Sequence, residues 1–291
     1  MSARDVRIAP AHTIAERRAV LHVAHEANDV KLPFSWYAAQ RLASPARSGA
    51  EWWLLTDSGA PVAALLAYPL VLTDGVSTRS AVGFGSVATL ATHRRLGHAT
   101  ALMTHVLERR DGGDALLFSA IGAGPYAKLG FVDVPAGAWR QADPLELLSE
   151  SDAAALRALD PRRERDLLAE AYTTYGRGLR RVRGAASWQA SIDGSPDDVW
   201  FAVEGGGTLR VRREPGTLVL LEALVPESHE DAVVQAAAGL AAAMDLALEG
   251  WGIPTPWMSD RVEPVSRWKT QPMVRGEWAV SPAQLFASDY F

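Results

Sequence analysis

The sequence contains no cysteine. That removes disulfides, thiolate metal sites and a cysteine nucleophile, and it leaves the redox compartment unread. Nor is there an uninterrupted apolar run of about 18 residues or more, so no membrane-spanning helix is expected. The opening MSARDVRIAP lacks the apolar stretch of a signal peptide. Positive charge is not in excess either: 29 Lys+Arg stand against 34 Asp+Glu, a net of -5. Such a balance gives no global attraction to nucleic acid or anionic lipid and suits a cationic ligand better. A cytoplasmic protein with no nucleic-acid or membrane partner and no metal site is expected, and a homo-oligomer stays open. Apolar residues are abundant, 48% of 291. They suffice for one large core or two smaller ones, and the length favours two.

Residues 13–28 carry a helical pattern, and 31–44 hold Pro33, Phe34, Trp36 and Tyr37, an aromatic group at a chain turn suited to lining a substrate pocket. An apolar strand over 51–56 enters the turn Asp57-Ser58-Gly59, with 61–72 as its hairpin partner and 82–90 as a third strand. Ala99, Leu102, Met103, Val106 and Leu107 then recur at helical spacing until Gly112 and Gly113. A buried strand over 115–121, a short helix over 124–129 and an extended piece from Phe131 follow. The order is β-β-β-α-β-α-β. In the second half, strands over 200–203, 208–213 and 217–225 precede a helix that Ser228 and Asp231 open as a capping box and Gly250 closes. Three strands and a long helix thus occur twice, which reads as an internal duplication with a degenerate second copy. Residues 1–140 are the first domain, 141–165 the link and 166–291 the second domain.

The stretch Thr92-His93-Arg94-Arg95-Leu96-Gly97-His98-Ala99 lies between a strand and an amphipathic helix. The first turn of a helix has N–H groups without internal partners and a partial positive charge, so it can seat a pyrophosphate. Gly97 and Ala99 permit close approach, Arg94 and Arg95 offer charge-assisted contacts, and His98 and Thr100 lie in the same turn. Read structurally, the arginines are a solvated loop and Gly97 a turn. Past the next strand comes Gly124-Pro125-Tyr126-Ala127-Lys128-Leu129-Gly130-Phe131.

Together these two stretches resemble the GNAT superfamily of N-acetyltransferases. Arg94, Gly97 and Ala99 match its Q/R-x-x-G-x-G/A signature, and the second stretch is similar to its Y-x-K-x-G-F element. The resemblance implies an α/β (α+β) GNAT fold, a mixed central sheet with flanking helices, followed by a second, smaller, degenerate GNAT-like domain. It also implies acetyl-CoA as cofactor and direct transfer of acetyl to a primary amine. Tyr126 would be the general acid for the departing thiolate, since a phenol with a pKa of about 10 can donate a proton there. Backbone groups of Val87, Thr89 and Leu90 would hold the acetyl and pantetheine arm. Where many relatives have an asparagine after the next strand, this chain has Ser119.

An alkylammonium must lose a proton before it attacks, so a base is expected, and His25 and Glu26 are candidates. The length and the ending Ser288-Asp289-Tyr290-Phe291 resemble the group that includes Eis-type aminoglycoside acetyltransferases and fungal lysine acetyltransferases. That likeness makes the Phe291 carboxylate a third candidate. The chain is too short for the third, sterol-carrier-like domain of Eis enzymes. The second half reads Val225-Pro226-Glu227-Ser228-His229-Glu230-Asp231 at its own strand-to-helix junction, so one cofactor site is expected. Six of the ten tryptophans lie in that half, more as core anchors than as an aromatic wall for an amine. Its arginine groups, Arg162-Arg163, Arg177 and Arg180-Arg181-Arg183, read as a solvated helix face. The expected acceptor is a small cationic amine such as lysine, a polyamine or an aminoglycoside. A protein lysine or N-terminus is the alternative acceptor, and a non-catalytic acyl-CoA-binding module is the alternative class.

Overall fold

The computed structural model describes residues 5–44, 47, 49–149, 153–193, 195–251, 258–265, 270–280 and 283–285. Strand β1 (Val6–Pro10) leads into helix α1 (Ile14–Ala27). A reciprocal capping box starts α1: Thr13 Oγ1 accepts from the Glu16 N–H at 3.2 Å and Glu16 Oε2 accepts from the Thr13 N–H at 2.8 Å. The same Thr13 N–H bond is the main reason the Glu16 carboxyl lies below its ordinary pKa. Helix α2 (Phe34–Ala43) follows, then the antiparallel strands β2 (Glu51–Asp57), β3 (Ala60–Thr73) and β4 (Thr78–Thr89). Helix α3 (His98–Glu108) crosses to β5 (Asp114–Ser119), which runs parallel to β4, and α4 (Gly124–Ala127) leads to β6 (Phe131–Asp133).

Strands β7 (Ala138–Gln141) and β8 (Leu156–Leu159), helix α5 (Arg165–Tyr175), the two-residue β9 (Arg180–Arg181) and helix α6 (Ala185–Asp193) come next. The meander β10 (Asp198–Val203), β11 (Thr208–Glu214) and β12 (Thr217–Leu224) feeds helix α7 (Glu230–Ala243) and the parallel strand β13 (Ala247–Trp251). Short β14 (Glu263–Pro264) and β15 (Gln271–Arg275) complete the described strands.

Two mixed sheets result, ordered β1-β2-β3-β4-β5-β15-β6, with β9 added along β3, and β14-β7-β13-β12-β11-β10-β8. Each contains a three-stranded meander, a crossover helix and one parallel strand, so the topology is repeated. Along β3 the period-2 alternation feeds two cores. Ala64, Leu66 and Tyr68 face α1 and α2, while Ala63, Leu65 and Ala67 face α3. The second sheet is sandwiched between α7 on one face and α5 with α6 on the other.

Several expectations change. Residues 34–43 are helix rather than a turn, because Pro33 is compatible with a helix start and Tyr37 and Ala38 are buried one turn later. Helix α7 begins at Glu230 after a 3-10 turn over Glu227–His229, and Ser228 contacts His229 Nδ1 at 3.1 Å instead of capping it. It ends at Ala243, not Gly250. Asp245 at φ 56 turns the chain, and 247–250 pair with β12.

The boundaries at 140 and 165 do not follow the sheets. β7 belongs to the second sheet, β8 inside the expected link is that sheet's edge, and β15 returns to the first sheet between β5 and β6. Arg183 is buried in an ion pair with Glu222 rather than on a solvated face. Because β15 fills a gap inside the first sheet, residues 1–137 expressed alone are expected not to fold, whereas the full chain unfolds cooperatively. A dispersed amide spectrum from the isolated fragment would overturn this.

Candidate functional site

The parallel pairing of β4 with β5 ends at Phe84↔Leu117. Just beyond it the β3–β4 register shifts between Ala64 and Leu66, and Ser86 adopts φ 51. An extra residue in β4 makes a bulge that bends the strand away from its neighbour. The two parallel strands therefore part over the last residues of β4, where Val87, Thr89 and Leu90 lie. Val87 packs partly against the α3-side core and Leu90 against the α1-side core.

The Leu90 N–H is bonded to the Val62 carbonyl at 3.0 Å, and a 3-10 turn over Ala91–His93 carries the chain to Arg94. Arg95 at φ 65 and Gly97 at φ 82 then coil the backbone into the start of α3. No heavy atom lies within 4 Å of the place a Gly97 Cβ would take, so the space in front of the turn is open. The Ala101 N–H bonds the Gly97 carbonyl at 2.9 Å. Among the described residues, the N–H groups of His98, Ala99 and Thr100 before it have no main-chain partner. Two buried side-chain atoms here also lack partners, Thr89 Oγ1 and His98 Nε2. Open N–H groups, room for a close approach and orphaned polar atoms are what a phosphate-bearing cofactor with an amide-rich arm would satisfy.

The arginines divide their work. Arg94 Nη2 donates to the Ala27 carbonyl at 2.6 Å and its Nε to the Thr89 carbonyl at 3.3 Å, so it ties the end of α1 to the end of β4. The tether uses Nε and Nη2 and leaves Nη1 on an exposed side chain. Arg95 is likewise exposed, with no hydrogen bond or ion pair among the described residues. Ser119 also has a shaping role: its Oγ donates to the Gly122 carbonyl at 2.7 Å and accepts from the Ile121 N–H at 3.2 Å, which folds the turn between β5 and α4. Tyr126 sits half-buried on α4 with its ring edge-on to Phe131 at 6.3 Å.

On the other face, His25 lies edge-on to Phe34 at 5.5 Å and Tyr37 at 5.3 Å, with Nε2 at 2.8 Å from the Leu32 carbonyl. A proton on Nε2 fits that contact, so this ring braces the α1–α2 hairpin. Glu26 is exposed, 3.4 Å from His22 Nε2. Tyr37 is 7% exposed, whereas the Trp36 indole is 71% exposed and free to meet a ligand. Phe291 lies outside the described residues, as do Trp257 and Trp268.

The second half has the same backbone device with different contents. Pairing of β12 with β13 ends at Leu220↔Gly250, and the β11–β12 register shifts at Arg210/Val211 opposite that point. The gap holds the Glu222–Arg183 ion pair at 2.8 Å, with Arg183 over the Tyr172 and Trp188 rings at 4.4 and 5.0 Å. At the helix start, Arg177 donates to Glu230 Oε1 at 2.6 Å and to the Val225 carbonyl at 3.0 Å. The Gly205–Gly207 turn packs so closely that a Cβ on Gly205 would sit 2.4 Å from His229 Nε2. Arg177 and Arg183 were expected on a solvated face; their ion-pair partners lie about 40 to 50 residues away in sequence and leave no local pattern.

The arrangement, two mixed sheets each with a bulged strand that parts from its parallel neighbour, is the fold of GCN5-related N-acetyltransferases (GNAT), as likeness to solved structures shows. No protein-family model and no curated protein matches the sequence. Among solved structures, the chain is similar to a probable N-acyltransferase from Enterococcus faecalis, titled a conserved protein of unknown function, with TM-score 0.76 and 11% identity over 94% of this chain and 72% of that one. It is also similar to Eis1 from Mycobacterium abscessus, with TM-score 0.69 and 18% identity over 93% and 73%. A GCN5-related N-acetyltransferase from Kribbella flavida gives TM-score 0.66 and 19% identity over 93% and 71%.

Thr89→Val removes a buried hydroxyl that has no partner in the free protein. It is expected to leave thermal stability unchanged or raised while weakening binding of coenzyme A, read by calorimetry. Lower stability of the free variant with full affinity would contradict the assignment.

Proposed function

We propose that the chain is an acetyl-CoA-dependent N-acetyltransferase acting on the primary amine of a small cationic acceptor, in the class of lysine, polyamines or aminoglycosides. The observation that carries this reading is the divergence of β4 from β5 next to the open first turn of α3. Acetyl-CoA, when bound, supplies an activated thioester. The N–H groups of His98, Ala99 and Thr100 would hold the pyrophosphate with Arg95 beside them, and the end of β4 would hold the arm. Tyr126 would be the residue to hand a proton from its phenol oxygen to the departing thiolate. The amine gives up its proton to base or solvent, so the balance closes without an acyl-enzyme.

The acceptor class is supported by the net charge of -5 and by the exposed Trp36 face, to which an alkylammonium is drawn by cation–π attraction. The filled junction in the second half supports one cofactor per chain. Calorimetry with acetyl-CoA is expected to give a stoichiometry of one, and two equal sites would contradict that. Thiol release from acetyl-CoA is expected with one of lysine, spermidine or kanamycin. Tyr126→Phe should lower kcat by about 100-fold or more with little change in cofactor affinity. Tight cofactor binding with no amine-dependent release across the panel would favour an acyl-CoA-binding module.

A further inference from the structure

At the opposite end of α3 from the cofactor turn lies a cleft of about 570 Å³. The 11 residues of α3 put about 16 Å between the two ends. His12 and Arg17 reach the cleft from the start of α1, Arg109 and Arg110 from the end of α3, and Trp52 and Trp53 from between them on β2. Because side chains alternate along β2, Trp52 serves the α1 face and Trp53 the α3 face.

Each indole carries a guanidinium: Arg17 lies 5.6 Å from the Trp52 ring centre and Arg109 lies 5.4 Å from that of Trp53. A stacked guanidinium is held by its face, and its N–H edge remains available for in-plane bonds to an anion. Among the described residues neither of these two meets a carboxylate. Arg17 Nε and Trp53 Nε1, both buried, have no acceptor. The nearby carboxylates are already engaged. Glu51 is held by Arg110 at 2.7 Å, and Glu16 accepts from the N–H groups of His12 and Thr13 in the α1 cap. Donors therefore exceed acceptors around the cleft. Arginines at a helix C-terminus compensate its dipole, which accounts for Arg109 and Arg110 but not for Arg17 on the other face or for the orphaned N–H groups.

We propose that this cleft is a second ligand site, separate from the cofactor seat, for a small organic anion. The charged end would be a carboxylate or a phosphate monoester taken by the N–H edge of Arg17 or of Arg109, with an apolar body against Pro10, Ala50 and Val106. The size of the cleft lies within the range of small-molecule pockets.

The test is calorimetric titration of the full chain with phenyl phosphate and with benzoate at fixed ionic strength, with and without saturating coenzyme A. Saturable binding of either probe that persists with coenzyme A present is expected, and which probe binds tells the phosphate from the carboxylate. Arg17→Gln with Arg109→Gln should weaken it by about tenfold or more. Glu51→Gln, which removes the carboxylate among the lining residues and frees Arg110, should tighten it. These opposite signs separate a lost site from a lost fold. Absence of saturable binding to both probes, displacement by coenzyme A, or equal affinity in all the variants would overturn the proposal.

Discussion

Strand β5 lies parallel to β4 on one side, and its other edge would present unpaired N–H and C=O groups if the first half ended with its own strands. β15 removes that edge. It pairs antiparallel with β5 from Gln271↔Ser119 to Arg275↔Ala115 and holds β6 on its far side, with Met273 and Val274 fully buried. The exchange is mutual, since β7 from the first half lies beside β13 in the second sheet. Gly250 is shaped by it: a Cβ there would sit 2.0 Å from the Trp139 ring. Neither half closes its own sheet, so their relative position is fixed by hydrogen-bonded register rather than by a linker. The exchange also reaches the site. Arg275 Nε donates to the Leu129 carbonyl at 2.8 Å and so holds the turn that follows the helix bearing Tyr126.

With the far edge of β5 secured, β4 can leave β5 without unravelling the sheet. Its departure combines a register shift, Ser86 in the left-handed region and the tether that Arg94 makes to Ala27 and Thr89. A non-glycine residue at positive φ is held against a steric penalty, so the surrounding pairing has to over-determine it. The β3–β4 ladder resumes at Ala88 and Thr89 and does so.

Much of this was legible in local sequence. The hairpin at Asp57-Ser58-Gly59, the meander over 200–225, the amphipathic face of α3 and the phosphate-turn pattern all depend on neighbours within a few residues. Strands β7 and β15 were not legible, because their partners lie more than 100 residues away and nothing nearby marks a strand that completes another sheet. β13 was hidden by continuity: Leu246 and Leu248 extend the apolar spacing of α7, and only Asp245 at positive φ separates helix from strand. At the site, position was readable and role less so. Arg94 and Ser119 fall where the pattern puts them, and each also bonds the chain itself, Arg94 through Nε and Nη2 and Ser119 through Oγ.

The two halves show why one backbone device can have two outcomes. Both part a parallel strand pair after a bulge, and both put a helix start beside the gap. A gap of this kind leaves polar groups short of partners, each costing about 1–3 kcal/mol when buried and unsatisfied. In the second half charged side chains occupy the corresponding place, with Glu222 paired to Arg183 and Arg177 bonded to Glu230 and the Val225 carbonyl. In the first half, among the described residues, Thr89 Oγ1 and His98 Nε2 have no partner and the N–H groups of the first turn of α3 have no main-chain partner. The first sheet, once β15 closes it, is complete in its strand pairing and incomplete in its hydrogen bonding at this turn, which is the condition under which a bound ligand adds contacts without having to displace any.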